Sequence, residues 1–236
     1  MNRFSRKIKG KYTGQLQVII LAAGARSRSK SYEPRCLLKY NNKTIIEHQI
    51  EAIQATFSKA EITVVCGIEK NKIIKKLGSE IRYVENQLFE ETNSGESLRL
   101  GILNSKMDDV LFIHGDVIID ENIFKNVNMS KSYLLSSSNS KMEEKEVGII
   151  KINNVATFLS YDSLEKWCQI AYLCSNEMSI LKKLFMRPEY DSKYLLTFEI
   201  INDIIENGGN FNVLDIGNAF IKEIDSLKDL NNEIIS

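Results

Sequence analysis

Short apolar runs at Val18–Ala22, Ile62–Cys66, Ile81–Val84 and Val110–His114 alternate with segments of helical rhythm. These runs are too short for helices and read as strands, those at Val18–Ala22 and Val110–His114 as buried ones. Between them, Thr44–Phe57 places Ile45, Ile46, Ile50, Ile53 and Phe57 on one helical face, and Thr44-Ile-Ile-Glu47 spells a capping box at its start. Glu69–Leu77 and Ser94–Leu103 are the next helices, the second capped from Thr92, Asn93 or Ser94. Alternation of this kind requires crossover connections and a mostly parallel sheet. Ligands bind such sheets beyond the carboxyl ends of the strands. The loop after Ala22 and the loop that opens with Gly115-Asp116 therefore meet at one crevice.

The second half has another rhythm. Ser132–Ser137, Val147–Ile152 and Ala156–Tyr161 predict strands with short connections, added antiparallel at the sheet edge. Leu164, Trp167, Cys168 and Ala171 at helical spacing predict a helix over Leu164–Leu173, followed by helices over Met178–Phe185 and Leu195–Glu206. Asn207-Gly208-Gly209-Asn210 is a turn, Val213–Asp215 and Phe220–Ile224 are closing strands, and Ser226-x-x-Asp229 caps a last helix. The expected fold class is α/β: a Rossmann-like three-layer sandwich, mostly parallel, with antiparallel additions in the second half. One domain is expected over 17–236. A basic tail over 1–16, with Arg3, Arg6, Lys7, Lys9 and Lys11, is expected to be disordered.

Composition removes several classes of function. The 31 basic and 31 acidic residues balance, which argues against a nucleic-acid partner. Two histidines and four cysteines without a C-x-x-C pair argue against a zinc site. No apolar run is long enough to cross a bilayer and no signal peptide is visible. A cytoplasmic chain without membrane partners is expected, and a homodimer is compatible with the sequence.

Positive charge crowds the segment directly after the first strand. Ala22-Ala23-Gly24 leaves backbone amides uncovered for anionic oxygens. Arg26, Arg28 and Arg35 follow, and arginine is a charge-assisted donor to phosphate. The carboxylate of Asp116 shares the crevice. Cations and a carboxylate together suggest a triphosphate with a divalent metal between them.

Leu21-Ala22-Ala23-Gly24-x-x-x-Arg28 followed by Pro34-Arg35-x-Leu37-Leu38 resembles the signature of nucleotidyltransferases that make sugar nucleotides and CDP-alcohols. Arg26 stands where that family has a second glycine, and Arg35 where it has lysine. The segment Glu91-Thr92-Asn93-Ser94-Gly95-Glu96-Ser97-Leu98 is similar to the branch of phosphocholine and aminoalkylphosphonate cytidylyltransferases. His114-Gly115-Asp116 resembles the family's metal-binding Gly-Asp, and Glu223-Ile224-Asp225-Ser226-x-x-Asp229-Leu230 its closing motif.

The resemblance implies transfer of a nucleoside monophosphate from a nucleoside triphosphate, CTP favoured, to a small phosphorylated alcohol or phosphonate, with release of pyrophosphate. It implies Mg²⁺ held by Asp116 and Asp225, with Glu223 as a third ligand. Arg28 would clamp the β- and γ-phosphates, and Arg35 would bridge the α-phosphate and the acceptor, with Arg26 either a further phosphate contact or turned to water. The nucleobase would lie against Leu21, Ala22, Ala23 and Gly24, Gly115 would also bind substrate, and Asn93 and Ser97 would touch base or ribose or cap their helix. Trp167-x-x-Ile170-x-x-Leu173-x-x-x-Glu177 resembles a choline-site segment, which implies Trp167 as a cage for a quaternary ammonium and Glu177 as its counter-charge. The helical spacing of Trp167 favours a packed core role instead. Two other readings stay open: a sugar-1-phosphate nucleotidyltransferase, and an inactive module that senses nucleotide.

Overall fold

In a computed structural model of the chain, the residues described are 16–24, 33–140, 142–143, 145–224 and 229. Strand β1 (Gln17–Ala22) is buried along its whole length. Val18, Ile20 and Ala22 enter one core cluster and Ile19 and Leu21 the other, which is why the run has no polar alternation. Fully burying each such side chain contributes roughly 1.5–3 kcal/mol, so this strand anchors both layers.

After Pro34 a 3-10 turn, Arg35–Leu37, leads to a two-strand hairpin, β2 (Lys39–Tyr40) and β3 (Lys43–Thr44). Asn41 (φ 46°) and Asn42 (φ 67°) supply the left-handed pair that a two-residue hairpin turn requires. Helix α1 (Ile45–Thr56) follows, with the expected capping box: the Thr44 N–H and hydroxyl donate to Glu47 at 2.8 and 2.7 Å. The chain continues through β4 (Glu61–Cys66), α2 (Lys70–Leu77), β5 (Arg82–Glu85), α3 (Ser94–Leu103), β6 (Val110–His114) and β7 (Val117–Ile119). Then come β8 (Tyr133–Ser137), β9 (Val147–Ile152), β10 (Val155–Tyr161), β11 (Lys166–Leu173), α4 (Ser175–Phe185), α5 (Thr197–Glu206), β12 (Asn212–Asp215) and β13 (Ile221–Glu223).

The main sheet runs β5-β4-β1-β6-β11-β8-β12-β10-β9. Its first half is parallel, as the strand–helix alternation predicts. Helices α1 and α2 cover one face and α3, α4 and α5 the other, giving three layers. The second half carries the expected antiparallel strands, and more of them than expected. The pairs β6–β11, β11–β8, β12–β10 and β10–β9 are antiparallel, and only β8–β12 is parallel, so the sheet is mixed rather than mostly parallel. The antiparallel strand β11 sits in mid-sheet between β6 and β8. It also touches β9 through Lys166 and Gly148, which closes β11-β8-β12-β10-β9 into a small barrel. The likeness to a Rossmann sandwich is therefore confined to the parallel half.

The helix expected over Leu164–Leu173 is a correction: that segment is strand β11. Trp167, Cys168 and Ile170 through Cys174 are all buried, so both faces of the strand are apolar. A bulge between Trp167 and Ala171 further breaks the period of two. Together these features imitate helical spacing. The tail over residues 1–15 and the helix expected after Ser226 lie outside the described residues, Asp229 excepted. Among the described residues no helix is long and apolar enough to cross a membrane.

Candidate active site

Strands β1 and β6 run parallel with Leu21 opposite His114, so both chains leave the sheet at one edge. There the Gly115 N–H donates to the Leu21 carbonyl at 2.9 Å. A Cβ on Gly115 would stand 2.9 Å from that oxygen and 3.0 Å from the Ala22 Cα, so only glycine lets the turn lie against β1. Asp116 is carried in this way to the side of Ala23 and Gly24.

The turn is fixed from two further directions. From α1, the buried Gln49 donates through Nε2 to the His114 and Val117 carbonyls, each at 2.7 Å. From the far end of the chain, β13 pairs with β7, setting Glu223 opposite Val117, and the Ile224 N–H donates to the Asp116 carbonyl at 2.8 Å. Arg35 then closes on the same carboxylate, Nη1 to Asp116 Oδ2 at 2.7 Å. The other oxygen, Asp116 Oδ1, is buried and has no hydrogen-bond partner among the described residues. A bare, buried carboxylate oxygen suits a hard divalent cation, which takes oxygen ligands. Glu223 lines the same cleft and is a second oxygen donor, so the residues present fit Mg²⁺. Among the described residues no cluster of three or more acidic, histidine or cysteine side chains is complete at this or any other place. Asp225, Arg26 and Arg28 lie outside the described residues.

Around Arg35 and Asp116 opens a cleft of about 400 Å³. Leu21, Ala23 and Gly24 line it, whereas Ala22 is packed in the core and Gly115 supports the turn from beneath. Asn93 and Ser97 line it from α3. Asn93 is the N-cap residue of α3, yet its side chain does not cap: the carboxamide donates to the Tyr194 carbonyl at 2.6 Å. Ser97 Oγ accepts from Asn86 Nδ2 at 3.2 Å, and Asn86 also bonds Thr92 and the Leu88 N–H. Asn86 thus shapes the loop before α3, a role that a lone asparagine after a strand does not announce in sequence.

The opposite wall comes from the second half, through Tyr161, Trp167, Gln169, Thr197 and Phe198. Trp167 is only 2% exposed. It lies edge-on to Phe112 and His114, and its indole N–H donates to the Ile170 carbonyl at 3.2 Å. Such a ring borders the cleft without an open face, so the cage reading is corrected to a packed wall. Glu177 is a plainer correction. It is buried away from the cleft on α4, where it accepts from the Ser132 hydroxyl at 2.7 Å and the Asn210 N–H at 3.0 Å.

His114 points its Nε2 at the Thr197 hydroxyl, 2.7 Å away. Burial lowers its pKa, Arg35 pushes the same way and Asp116 opposes, so the ring is held neutral at physiological pH. Gln169 stands out on its backbone: φ is 55°, a left-handed value in mid-strand that costs about 1–3 kcal/mol for a non-glycine residue.

Comparisons with known proteins agree with this geometry. Residues 18–127 match the MobA-like NTP transferase domain. That stretch runs from β1 past the Asp116 turn, and so spans the Ala23–Gly24 edge, Arg35 and Asp116. The bifunctional protein GlmU of Francisella tularensis subsp. holarctica is 31% identical to this chain over 120 residues, which is 50% of this chain and 26% of that protein. The chain thus spans about a quarter of the length of the curated relatives it matches. Three solved structures share the fold nearly end to end. The CTP:phosphocholine cytidylyltransferase of Streptococcus pneumoniae aligns with TM-score 0.76 at 20% identity, covering 94% of this chain and 99% of that one. The inositol-1-phosphate CTP transferase of T. maritima aligns at 0.74 and 19%, covering 92% of each. A nucleoside-diphosphate-sugar pyrophosphorylase of Vibrio cholerae RC9 aligns at 0.71 and 14%, covering 92% and 98%. The chain thus shares its fold with solved cytidylyltransferases and a sugar pyrophosphorylase alike, and its residues 18–127 are similar to the MobA-like NTP transferase domain.

Proposed function

We propose that this chain joins the nucleoside monophosphate of a nucleoside triphosphate, CTP in the first instance, to a small phosphorylated alcohol or phosphonate. An acceptor oxygen forms a bond to the α-phosphorus as the bond to the bridging oxygen breaks, and pyrophosphate leaves with that electron pair. The observation that carries the reading is the meeting of Arg35 and Asp116 in the cleft that Ala23 and Gly24 also line. Little acid–base assistance is needed for such a displacement; positioning and charge neutralisation carry it.

The roles follow from placement. The Ala23–Gly24 backbone receives the nucleotide, and Leu21, Asn93 and Ser97 flank it. Arg35 exchanges its carboxylate partner for phosphate oxygen and offers a planar fork to the α-phosphate and the acceptor. Asp116 and Glu223, with Asp225, would hold Mg²⁺. When bound, the ion supplies neutralising charge at the phosphates. Neutral His114, fixed on Thr197, orders the wall beside Asp116 rather than moving a proton.

The test is pyrophosphate release with each nucleoside triphosphate, Mg²⁺ and a panel of phosphorylated acceptors. Asp116→Asn is expected to lower turnover by about 10²–10³-fold, the cost of one well-placed electrostatic group. Undiminished turnover in that variant would remove Asp116 from the site. Nucleotide binding without turnover on any acceptor would favour a sensing module instead.

A further inference from the structure

The β11 wall of the cleft carries the most irregular backbone at the site. Its pairing with β8 runs through Lys166 and Trp167, lapses, and resumes at Ala171. At the centre of the lapse stands Gln169, with the left-handed φ of 55°. Cys168 and Ile170 on either side are buried, while Gln169 is half-exposed and borders the cleft. Its carboxamide makes no hydrogen bond to any described residue. A long polar side chain is thus held out into the cleft by a backbone that a glycine would adopt more easily.

The charges nearby indicate what it meets. Among the described residues three carboxylates border the cleft. Asp116 is paired with Arg35, and Glu223 lies beside it at the proposed metal position. Glu146 is paired with Lys166 and accepts the Glu143 N–H at 2.9 Å. Glu177, the expected counter-charge for an ammonium, is buried elsewhere. Trp167 offers no open face. Among the described residues no carboxylate is left to balance a quaternary ammonium, whereas a free carboxamide both donates and accepts, as a hydroxyl requires of its partner.

We infer that Gln169 reads a hydroxyl group of the acceptor, and that the acceptor is a hydroxyl-bearing phosphate rather than a quaternary-ammonium phosphate. The inference rests on the nucleotidyl-transfer reading above. Two sources share the chemistry, a polyol phosphate and a sugar phosphate, and the assay separates them.

The assay offers glycerol 3-phosphate, glucose 1-phosphate and phosphocholine as alternative acceptors, with Mg²⁺ and the preferred nucleoside triphosphate. Gln169→Gly removes the carboxamide while accepting the backbone conformation, so the variant is expected to fold at least as well as the parent. The expected result is turnover of a hydroxyl-bearing acceptor in preference to phosphocholine. In Gln169→Gly the KM for that acceptor rises about tenfold, with the KM for nucleotide unchanged. An unchanged acceptor KM in the glycine variant overturns the inference, and so does a preference for phosphocholine. If no acceptor releases pyrophosphate, thermal stabilisation by glycerol 3-phosphate or glucose 1-phosphate in the presence of nucleotide reads binding alone. A shift that Gln169→Gly abolishes sustains the hydroxyl reading while transfer fails; absence of any shift overturns both.

Discussion

Gln49 has no solvent exposure, and its carboxamide oxygen is buried without a partner among the described residues. Its two N–H groups nevertheless bracket the Gly115–Asp116 turn, bonding the carbonyls on either side. A glutamine tolerating one unsatisfied atom to hold these two bonds is best understood as a positioning residue for Asp116. Gln49→Leu keeps the volume and removes both donors. It is expected to cost about 1–3 kcal/mol of stability, read from the urea midpoint. It is also expected to raise the Mg²⁺ concentration for half-maximal turnover several-fold, an effect that general destabilisation would not produce well below the melting temperature. An unaltered Mg²⁺ requirement would reduce Gln49 to a core residue. Legibility differs sharply among these residues. Asp116 and Arg35 are readable because their neighbours, Gly115 and Pro34, mark them in a recognisable pattern. Gln49 and Gln169 are glutamines in apolar surroundings, and nothing local separates them from ordinary surface residues until the fold brings them to the turn and the cleft.

Among the elements, α1 is where sequence and structure agree most closely, since its start is dictated by adjacent residues. Burial alone would raise the Glu47 pKa. The Lys76 ammonium and the Thr44 N–H and hydroxyl outweigh burial and bring it down to about 2. A folded-state pKa below the ordinary 4.5 means that the stabilisation is complete above that pH and is lost as pH falls toward 2. Glu47→Gln is therefore expected to be less stable than the parent at pH 6, with the gap narrowing by pH 3, as measured by urea unfolding. A gap of constant size would show that the carboxylate charge contributes nothing. Strand β11 is the opposite case. Local pattern fails there because burial on both faces and a bulge are tertiary facts, set by β6 and β8 rather than by residues next in sequence. The parallel half was legible because crossover connections leave few alternatives; the closed second half depends on long-range pairings such as Lys166 with Gly148.

At the scale of the molecule, the site gathers the end of β1, the Arg35 turn, the β6–β7 turn and β13, which are far apart in sequence. No unfolded chain holds these together, so on the proposed function a magnesium–nucleotide complex would bind only the native state and would stabilise it by mass action. At a ligand concentration near 100 times Kd the gain is about 2.7 kcal/mol. For a domain of this size that corresponds to a rise in Tm of about 5–10 °C. Asp116→Asn preserves the shape of the turn, including an oxygen for Arg35, and removes the charge that a divalent cation requires. It is expected to melt near the parent without ligand yet to lose the Mg²⁺-dependent part of the rise, as chelation with EDTA would cause in the parent. A full rise in the asparagine variant would mean that the nucleotide is held without this carboxylate, and that the convergence of Arg35 and Asp116 serves the fold rather than the ligand.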